Sequence, residues 1–278
     1  MKISVFSLFR DSCPYLSRFF KQINDLEKNT NADFEYFFYE NDSKDDTASR
    51  LEQWSKGRPV KVLSEKANEK SHGSTLEPDR MMKMARIRNK MAELGKPVKS
   101  DYCLVIDSDV IFNKNIINNF LKHKDLNFSM LTPNIRQNVP CKMGSKSKSS
   151  YYDSLSLFDL KWNHCMTWAD NPFYEDCDRK SFKNKEPIKV QRAFGSIVLI
   201  KSDYFNQVKW QSNGNLEHWA LCDQLRSFGD IYFLPNITPR VEIEQTSWPH
   251  ENSVIERQKF LLENKWNRFL LKTGSVQI

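Results

Sequence analysis

The sequence predicts an α/β fold: a mostly parallel central sheet flanked by helices, with an amphipathic helix at the C-terminal end. Three observations predict it. Apolar runs of strand length alternate with helical periodicity through the first half. Turn and capping residues punctuate the alternation. The strongest apolar run, Tyr102-Cys-Leu-Val-Ile106, ends abruptly in Asp107-Ser-Asp109.

The elements follow in order. Ile3 to Phe9 reads as a buried strand. Pro14 is placed to open a helix, in which Tyr15, Leu16, Phe19, Phe20, Ile23 and Leu26 recur with helical spacing. Phe34 to Tyr39 is a second strand, closed by the acidic turn Glu40-Asn-Asp-Ser-Lys-Asp-Asp-Thr47. Asp45, Asp46 or Thr47 suits the cap of the helix from Ala48 to Trp54. Val60 to Leu63 is a third strand, and Arg80 to Leu94 a helix with Met81, Met84, Ile87 and Met91 on one face. After the strand 101–109 come a helix at 116–122 and a strand at 128–132. Residues 136–190 are polar, and Gly144 to Ser150 is of low complexity and expected to be mobile. Ala193 to Ile200 reads as a strand, Leu216 to Phe228 as a helix ending at Gly229, and Ile231 to Leu234 as a strand. Glu251 to Lys272 is a long amphipathic helix whose apolar face packs on the core or, alternatively, lies on a membrane as a peripheral anchor. With no repeat and no linker, one domain spans residues 1–278.

Composition narrows the function. The net charge is +7 and the pI about 9.0, which suits anionic partners such as nucleotide phosphates. No nucleic-acid-binding signature accompanies the charge, so no nucleic acid partner is expected. The six cysteines (13, 103, 141, 165, 177 and 222) form no CxxC pair, which argues against a disulfide framework or a zinc site. Met1-Lys2 runs straight into the first strand and no apolar run approaches membrane-spanning length, so a cytoplasmic protein is expected. The 19 Phe, nine Tyr and seven Trp fit either a Phe-rich core or stacking faces for sugars.

Asp107 and Asp109 carry the chemistry. They stand at the carboxyl end of a buried strand, the edge where open α/β sheets bind ligands. Two carboxylates one residue apart can hold a hard divalent cation through oxygen, while a diphosphate completes its shell. The bland alternative is a strand-end turn capped by Asp side chains. Glu40, Asn41 and Asp42 close a neighbouring strand on the same edge and can accept hydrogen bonds from a ribose or a base. Arg80, Arg86, Arg88 and Asn89 are candidate phosphate ligands, but residues 86 and 88 cannot share one helix face.

Tyr39 to Thr47, Met84-Ala-Arg-Ile-Arg-Asn89, Leu104 to Asp109 and Leu131-Thr-Pro-Asn134 together resemble the GT-A glycosyltransferases. They are most similar to the fungal Golgi and cryptococcal capsule α-mannosyltransferases. Those carry an E-N-D-S-x-D-x-T turn, an A-x-x-R-N helix, a strand ending in D-x-D and a following P-N. Tyr152-Asp153, Phe194-Gly195-Ser196 and Glu217 in Leu216-Glu-His-Trp219 resemble later blocks, so the likeness covers roughly residues 1–245. It implies a GT-A (Rossmann-like) fold, with residues 1–135 as the nucleotide-sugar-binding half and 136–278 as the acceptor-binding half. It implies a metal-dependent glycosyltransferase moving a sugar, mannose or another hexose, from a UDP- or GDP-sugar to a glycan or glycoconjugate acceptor. Manganese or magnesium would sit on Asp107 and Asp109, with His250 as a further ligand. Phe9, Arg10, Glu40, Asn41, Asp42, Arg86, Arg88, Asn89, Asp107 and Ser108 would line the donor. Glu217 and Asp109 would be catalytic; Glu217 is the base if the reaction inverts configuration, and orients a substrate if it retains it. Asp223 is a second acid on the same stretch. A sugar nucleotidyltransferase and a non-catalytic carbohydrate-binding protein are the competing readings. The first wants a Gly-rich basic loop after the first strand, where this chain has Phe9-Arg-Asp-Ser-Cys-Pro14.

Overall fold

The computed structural model describes residues 1–69, 77–139, 148–165 and 169–241. The strands and helices β1 (Lys2–Phe9), α1 (Cys13–Asn29), β2 (Asp33–Asn41), α2 (Thr47–Ser55), β3 (Val60–Glu65), α3 (Pro78–Glu93) and β4 (Tyr102–Ile106) alternate as the sequence predicts. Then come β5 (Val110–Ile111), α4 (Ile116–Leu121), β6 (Phe128–Pro133), β7 (Arg136–Val139), β8 (Lys148–Tyr151) and β9 (Phe158–Asp159). The chain continues through α5 (Asp176–Asn184), β10 (Ile188–Arg192), β11 (Ile197–Lys201), α6 (Ser202–Phe205), α7 (Glu217–Leu225), β12 (Asp230–Leu234) and β13 (Arg240–Val241).

Nine strands form one sheet in the order β3-β2-β1-β4-β11-β6-β12-β10-β9. β3, β2, β1 and β4 pair in parallel, as do β6 and β12; only β11 and β10 run against the rest. The mostly parallel sheet is therefore present. A second sheet, β5-β13-β7-β8, gathers short strands from both halves of the chain. Helices cover the large sheet, so its central strands are buried on both faces and read as continuous apolar runs.

Pro14 sits in the first turn of α1, where its missing N–H costs nothing. Leu16, Phe19, Ile23 and Leu26 bury one face of that helix. The aromatic excess goes largely into the core: Phe6 stacks on Phe37 at 4.9 Å, and Phe9 meets Phe19 and Phe38 edge-on at 5.2 and 5.1 Å. A separate apolar cluster of Met81, Phe158, Leu216 and Trp219 packs beside α7. There Arg192 lies 5.0 Å from the Trp219 ring and 4.8 Å from that of Trp162.

The sequence reading and the structure part at several places. Glu40 and Asn41 continue β2 instead of starting the turn, because their backbone still pairs with Ser64 and Glu65 of β3. Ser149 and Ser150, expected in a mobile stretch, pair with Asn138 and Gln137. The strand expected from Ala193 begins only at Ile197, since Gly195 and Ser196 both take positive φ, +73° and +56°, and form a turn. The helix expected to reach Phe228 ends at Leu225. The amphipathic stretch 251–272 and His250 lie outside the described residues. Among the described residues no disulfide joins Cys13, Cys103, Cys165, Cys177 and Cys222, and no helix is long and apolar enough to cross a membrane.

Candidate active site

The carboxyl ends of β1, β2 and β4 lie side by side. Phe9 pairs with Glu40, and Phe6 with Val105, so Arg10, Asn41 and Asp107 emerge at one edge of the sheet. Two helices frame Asp107 to Asp109. From α1, Arg18 Nη2 reaches the carbonyl of Asp109 (3.4 Å). One turn on, the Gln22 amide donates to the Val110 carbonyl (2.9 Å) and accepts from the Phe112 N–H (3.4 Å). From the other side the Asp107 N–H donates to the carbonyl of Ser196 (2.8 Å). Ser108 Oγ lies 3.1 Å from Ser12 Oγ.

The Phe194-Gly195-Ser196 turn is built for this contact. Thr132 Oγ1 donates to the Phe194 carbonyl (2.9 Å), and the Gly195 N–H donates to Asp153 Oδ2 (2.8 Å). A Cβ on Gly195 would lie 3.0 Å from Thr132 Oγ1, at a φ that L residues avoid. Gly195→Ala is expected to cost about 2 kcal/mol through backbone strain and crowding. Urea unfolding checks this; an unchanged midpoint would mean that the turn relaxes freely.

Arg88 organises the charges. It is buried, and its guanidinium bridges two acids: Nη1 to Asp107 Oδ1 at 3.3 Å and Nε to Glu217 Oε1 at 3.1 Å. Burial alone would lower the Arg88 pKa, but Asp107 and then Glu217 hold it above its ordinary value. Burial, helped by the charge of Asp107, pushes the Asp109 carboxyl up to about 6. Burial also raises Asp153, against hydrogen bonds from the Gly195 N–H and the Ser156 hydroxyl, and raises the Tyr152 phenol, which feels the charge of Asp109. Burial holds the His218 imidazole well below its ordinary pKa, with Arg88 adding to the effect. These groups are buried within reach of one another's charge, the setting in which functional sites shift pKa values.

Asp107 and Asp109 therefore offer oxygen donors whose mutual repulsion a cation would relieve. No third His, Cys, Asp or Glu joins them in a group that could hold an ion among the described residues. The pair fits a hard divalent cation whose shell is completed largely by ligand oxygens and water.

The other expected site residues fall into two sets. At the carboxyl ends of β2 and β3, Glu40 is buried and takes the Ser43 N–H (2.9 Å) and the Ser64 hydroxyl. Asp42, at φ +56°, takes the N–H groups of Asn68 and Glu69 (2.8 and 2.9 Å) and the side chain of Asn41. Arg10 Nη2 donates to the Glu69 carbonyl (3.2 Å), and Arg86, exposed, pairs with the Glu69 carboxylate. In the second set Phe9 is buried, Asn89 half-buried and Asp223 exposed. The Phe9 ring is in the core, so a ligand could meet only its backbone. Asn89 uses both ends of its amide on the backbone of Trp210 (2.8 and 2.9 Å). Asp223 is held by Arg192 through two bonds (2.8 and 2.5 Å). Sequence reasoning did not single out Arg18, Gln22 or Trp210. Only the i, i+4 spacing of Arg18 and Gln22 on one helix face could have signalled the first two.

Comparison with known proteins identifies the fold and the family. No curated protein matches the chain. A crystal structure of S. aureus TarS 1-349 aligns at TM-score 0.51 and 12% sequence identity, over 87% of this chain and 60% of that one. The same segment in complex with UDP-GlcNAc aligns at 0.53 and 12%, over 89% and 62%. Longer TarS aligns at 0.51 and 12%, over 88% and 37%. This chain thus spans about 60% of the shorter TarS structures, and the likeness establishes the fold, that of the GT-A glycosyltransferases. The model of the family described as Cryptococcal mannosyltransferase 1 matches residues 10–227, which include Arg10, Asp107, Arg88 and Glu217. The chain belongs to that family, and so to the glycosyltransferases.

Proposed function

We propose that this protein transfers a sugar, mannose in the first instance, from a nucleoside-diphosphate sugar to a hydroxyl of a glycan acceptor. The observation that carries the reading is the Arg88 bridge, which sets Asp107 and Glu217 on opposite sides of one buried cation at the binding edge of the sheet. The capture of UDP-GlcNAc by S. aureus TarS, on the same fold, supports a nucleotide sugar as donor.

In this reading the donor lies over the ends of β1, β2 and β4. Asp42 and Glu40 shape the nucleoside end: Asp42 Oδ1 and both Glu40 oxygens accept one hydrogen bond each and keep a lone pair for a ribose hydroxyl, whereas Asp42 Oδ2 accepts two. Arg10, whose charge acts on Asp42, stands beside them and can meet a phosphate. Asp107 and Asp109 would hold a divalent cation, manganese or magnesium, which when bound offsets the charge that grows on the departing diphosphate. Glu217 faces the acceptor. The acceptor oxygen bonds to the anomeric carbon as that carbon's bond to the phosphate oxygen breaks, and the electron pair leaves on the diphosphate. An inverted product would mean that the hydroxyl proton goes to Glu217; a retained product, that it leaves with the diphosphate.

A thermal-shift screen of UDP-, GDP- and other nucleotide sugars with manganese tests the reading. One donor at about 100 times its Kd should stabilise the protein by about 2.7 kcal/mol. Its hydrolysis should stop on chelation. Stabilisation by no nucleotide sugar would sink the function; turnover unaffected by chelator would sink the cation.

A further inference from the structure

We propose that Asn89, Trp210 and His218 position Glu217, fixing one carboxylate oxygen and leaving the other turned to the acceptor hydroxyl. The inference rests on the reading above, in which Glu217 faces the acceptor.

Glu217 Oε1 receives Arg88 Nε at 3.1 Å and lies 3.3 Å from His218 Nε2. Oε2 takes no hydrogen bond from any described residue. The two oxygens of one carboxylate are thus unequal: one is bonded by Arg88 with the His218 ring edge beside it, the other can accept.

The clamp depends on where the imidazole carries its proton. Trp210 Nε1–H donates to His218 Nδ1 at 3.3 Å. Indole can only donate, so Nδ1 must accept, and a neutral imidazole then has its single proton on Nε2. That is the nitrogen facing Oε1. The other tautomer would set two N–H groups against each other at Trp210 and a lone pair against the carboxylate. The ring cannot easily turn away, because it lies flat on Phe194, with centroids 3.6 Å apart and planes 12° from parallel. His218, Trp210, Glu217 and Arg88 are all buried, so water cannot readily substitute for these contacts.

Asn89 closes the arrangement. Its side-chain amide takes the Trp210 N–H (2.9 Å) and gives to the Trp210 carbonyl (2.8 Å), fixing that residue's backbone. Arg88 and Asn89 are sequence neighbours on α3 and hold Glu217 from two directions. Arg88 acts directly; Asn89 acts through Trp210 and His218. The Arg-Asn pair is then one device for aiming the acid on α7, with both ends of the Asn89 amide engaged on Trp210.

The test compares His218→Phe, His218→Gln, Trp210→Phe and Glu217→Gln with wild type. His218→Phe keeps the stack on Phe194 but removes the Nε2–H. It should lower kcat for transfer on the order of 10²-fold, as a slightly misplaced group does, with donor KM within about twofold of wild type. His218→Gln, whose amide can reach toward Oε1, should recover part of the loss. Trp210→Phe should lower kcat in the same sense, and guards against a His218 variant that fails to fold. If Glu217→Gln cripples transfer while folded His218→Phe and Trp210→Phe keep wild-type kcat, the clamp is wrong and the role of Glu217 stands. If Glu217→Gln transfers normally, the acceptor-facing reading fails. Nitrogen-15 spectra of the histidine rings need no activity. They should show His218 neutral at pH 7 with Nε2 protonated; a proton on Nδ1 overturns the inference outright.

Discussion

Arg88→Ala is expected to abolish turnover and to lower stability by about 3–5 kcal/mol, the usual consequence of leaving buried charges without their partner. The Glu217 side chain is 4% exposed and would lose the guanidinium that meets its carboxylate, while Asp107, 28% exposed, would turn partly to water. Most of the stability loss should therefore trace to Glu217. Arg88→Lys keeps the charge, but an ammonium on a flexible stem cannot span both acids as a planar fork does. It should regain part of the stability and little of the activity. Urea unfolding and donor hydrolysis on the same samples check both points. An Arg88→Ala midpoint equal to wild type would show that the bridge contributes nothing to the fold.

Asp109→Asn should do the opposite to stability. Turnover should fall by about 10³-fold or more, a loss of about 4 kcal/mol of transition-state stabilisation. Yet the metal-free protein should become more stable at neutral pH. The Asp109 carboxyl is pushed up to about 6 from 3.8, so the fold disfavours its charged form. Below the unfolded value near 3.8 both states hold the proton and no penalty exists. As pH rises toward about 6 the unfolded chain releases its proton first, and the folded state loses up to about 2–3 kcal/mol relative to it. Asparagine carries no such penalty. Unfolding at pH 4 and pH 7 in chelator should show wild type losing stability relative to the variant across this window. A variant less stable than wild type at pH 7 would contradict the argument.

The parts of this molecule legible in the sequence were those with local signals. Pro14, the apolar stripe of α1 and the run Tyr102 to Ile106 each fix an element without help from distant residues. Direction and partnership were not local. Nothing in Ile197-Val-Leu-Ile-Lys201 says that it runs against β4, since a strand buried on both faces reads alike in either direction. In the candidate site, helix geometry correctly denied Arg86 and Arg88 a common face, and the structure puts Arg86 at Glu69 and Arg88 in the interior. That Arg88 meets an acid 129 residues away left no mark on its own neighbourhood. The low-complexity look of Ser149-Ser150 misled because a short strand paired at its backbone needs no apolar side chains.

The strand β11 has a consequence for what the chain can be divided into. It comes from the second half, yet it lies directly against β4, and its preceding turn accepts the N–H of Asp107. Strands from residues 1–135 and strands from residues 136–241 are therefore interleaved rather than joined end to end. A fragment cut after residue 135 would keep Asp107 and Asp109 but would bare the hydrogen-bonding edge of its central apolar strand, an invitation to pair with another copy. Exchange of second halves between relatives, familiar where domains are separate beads, would here replace the turn that holds the Asp107 backbone.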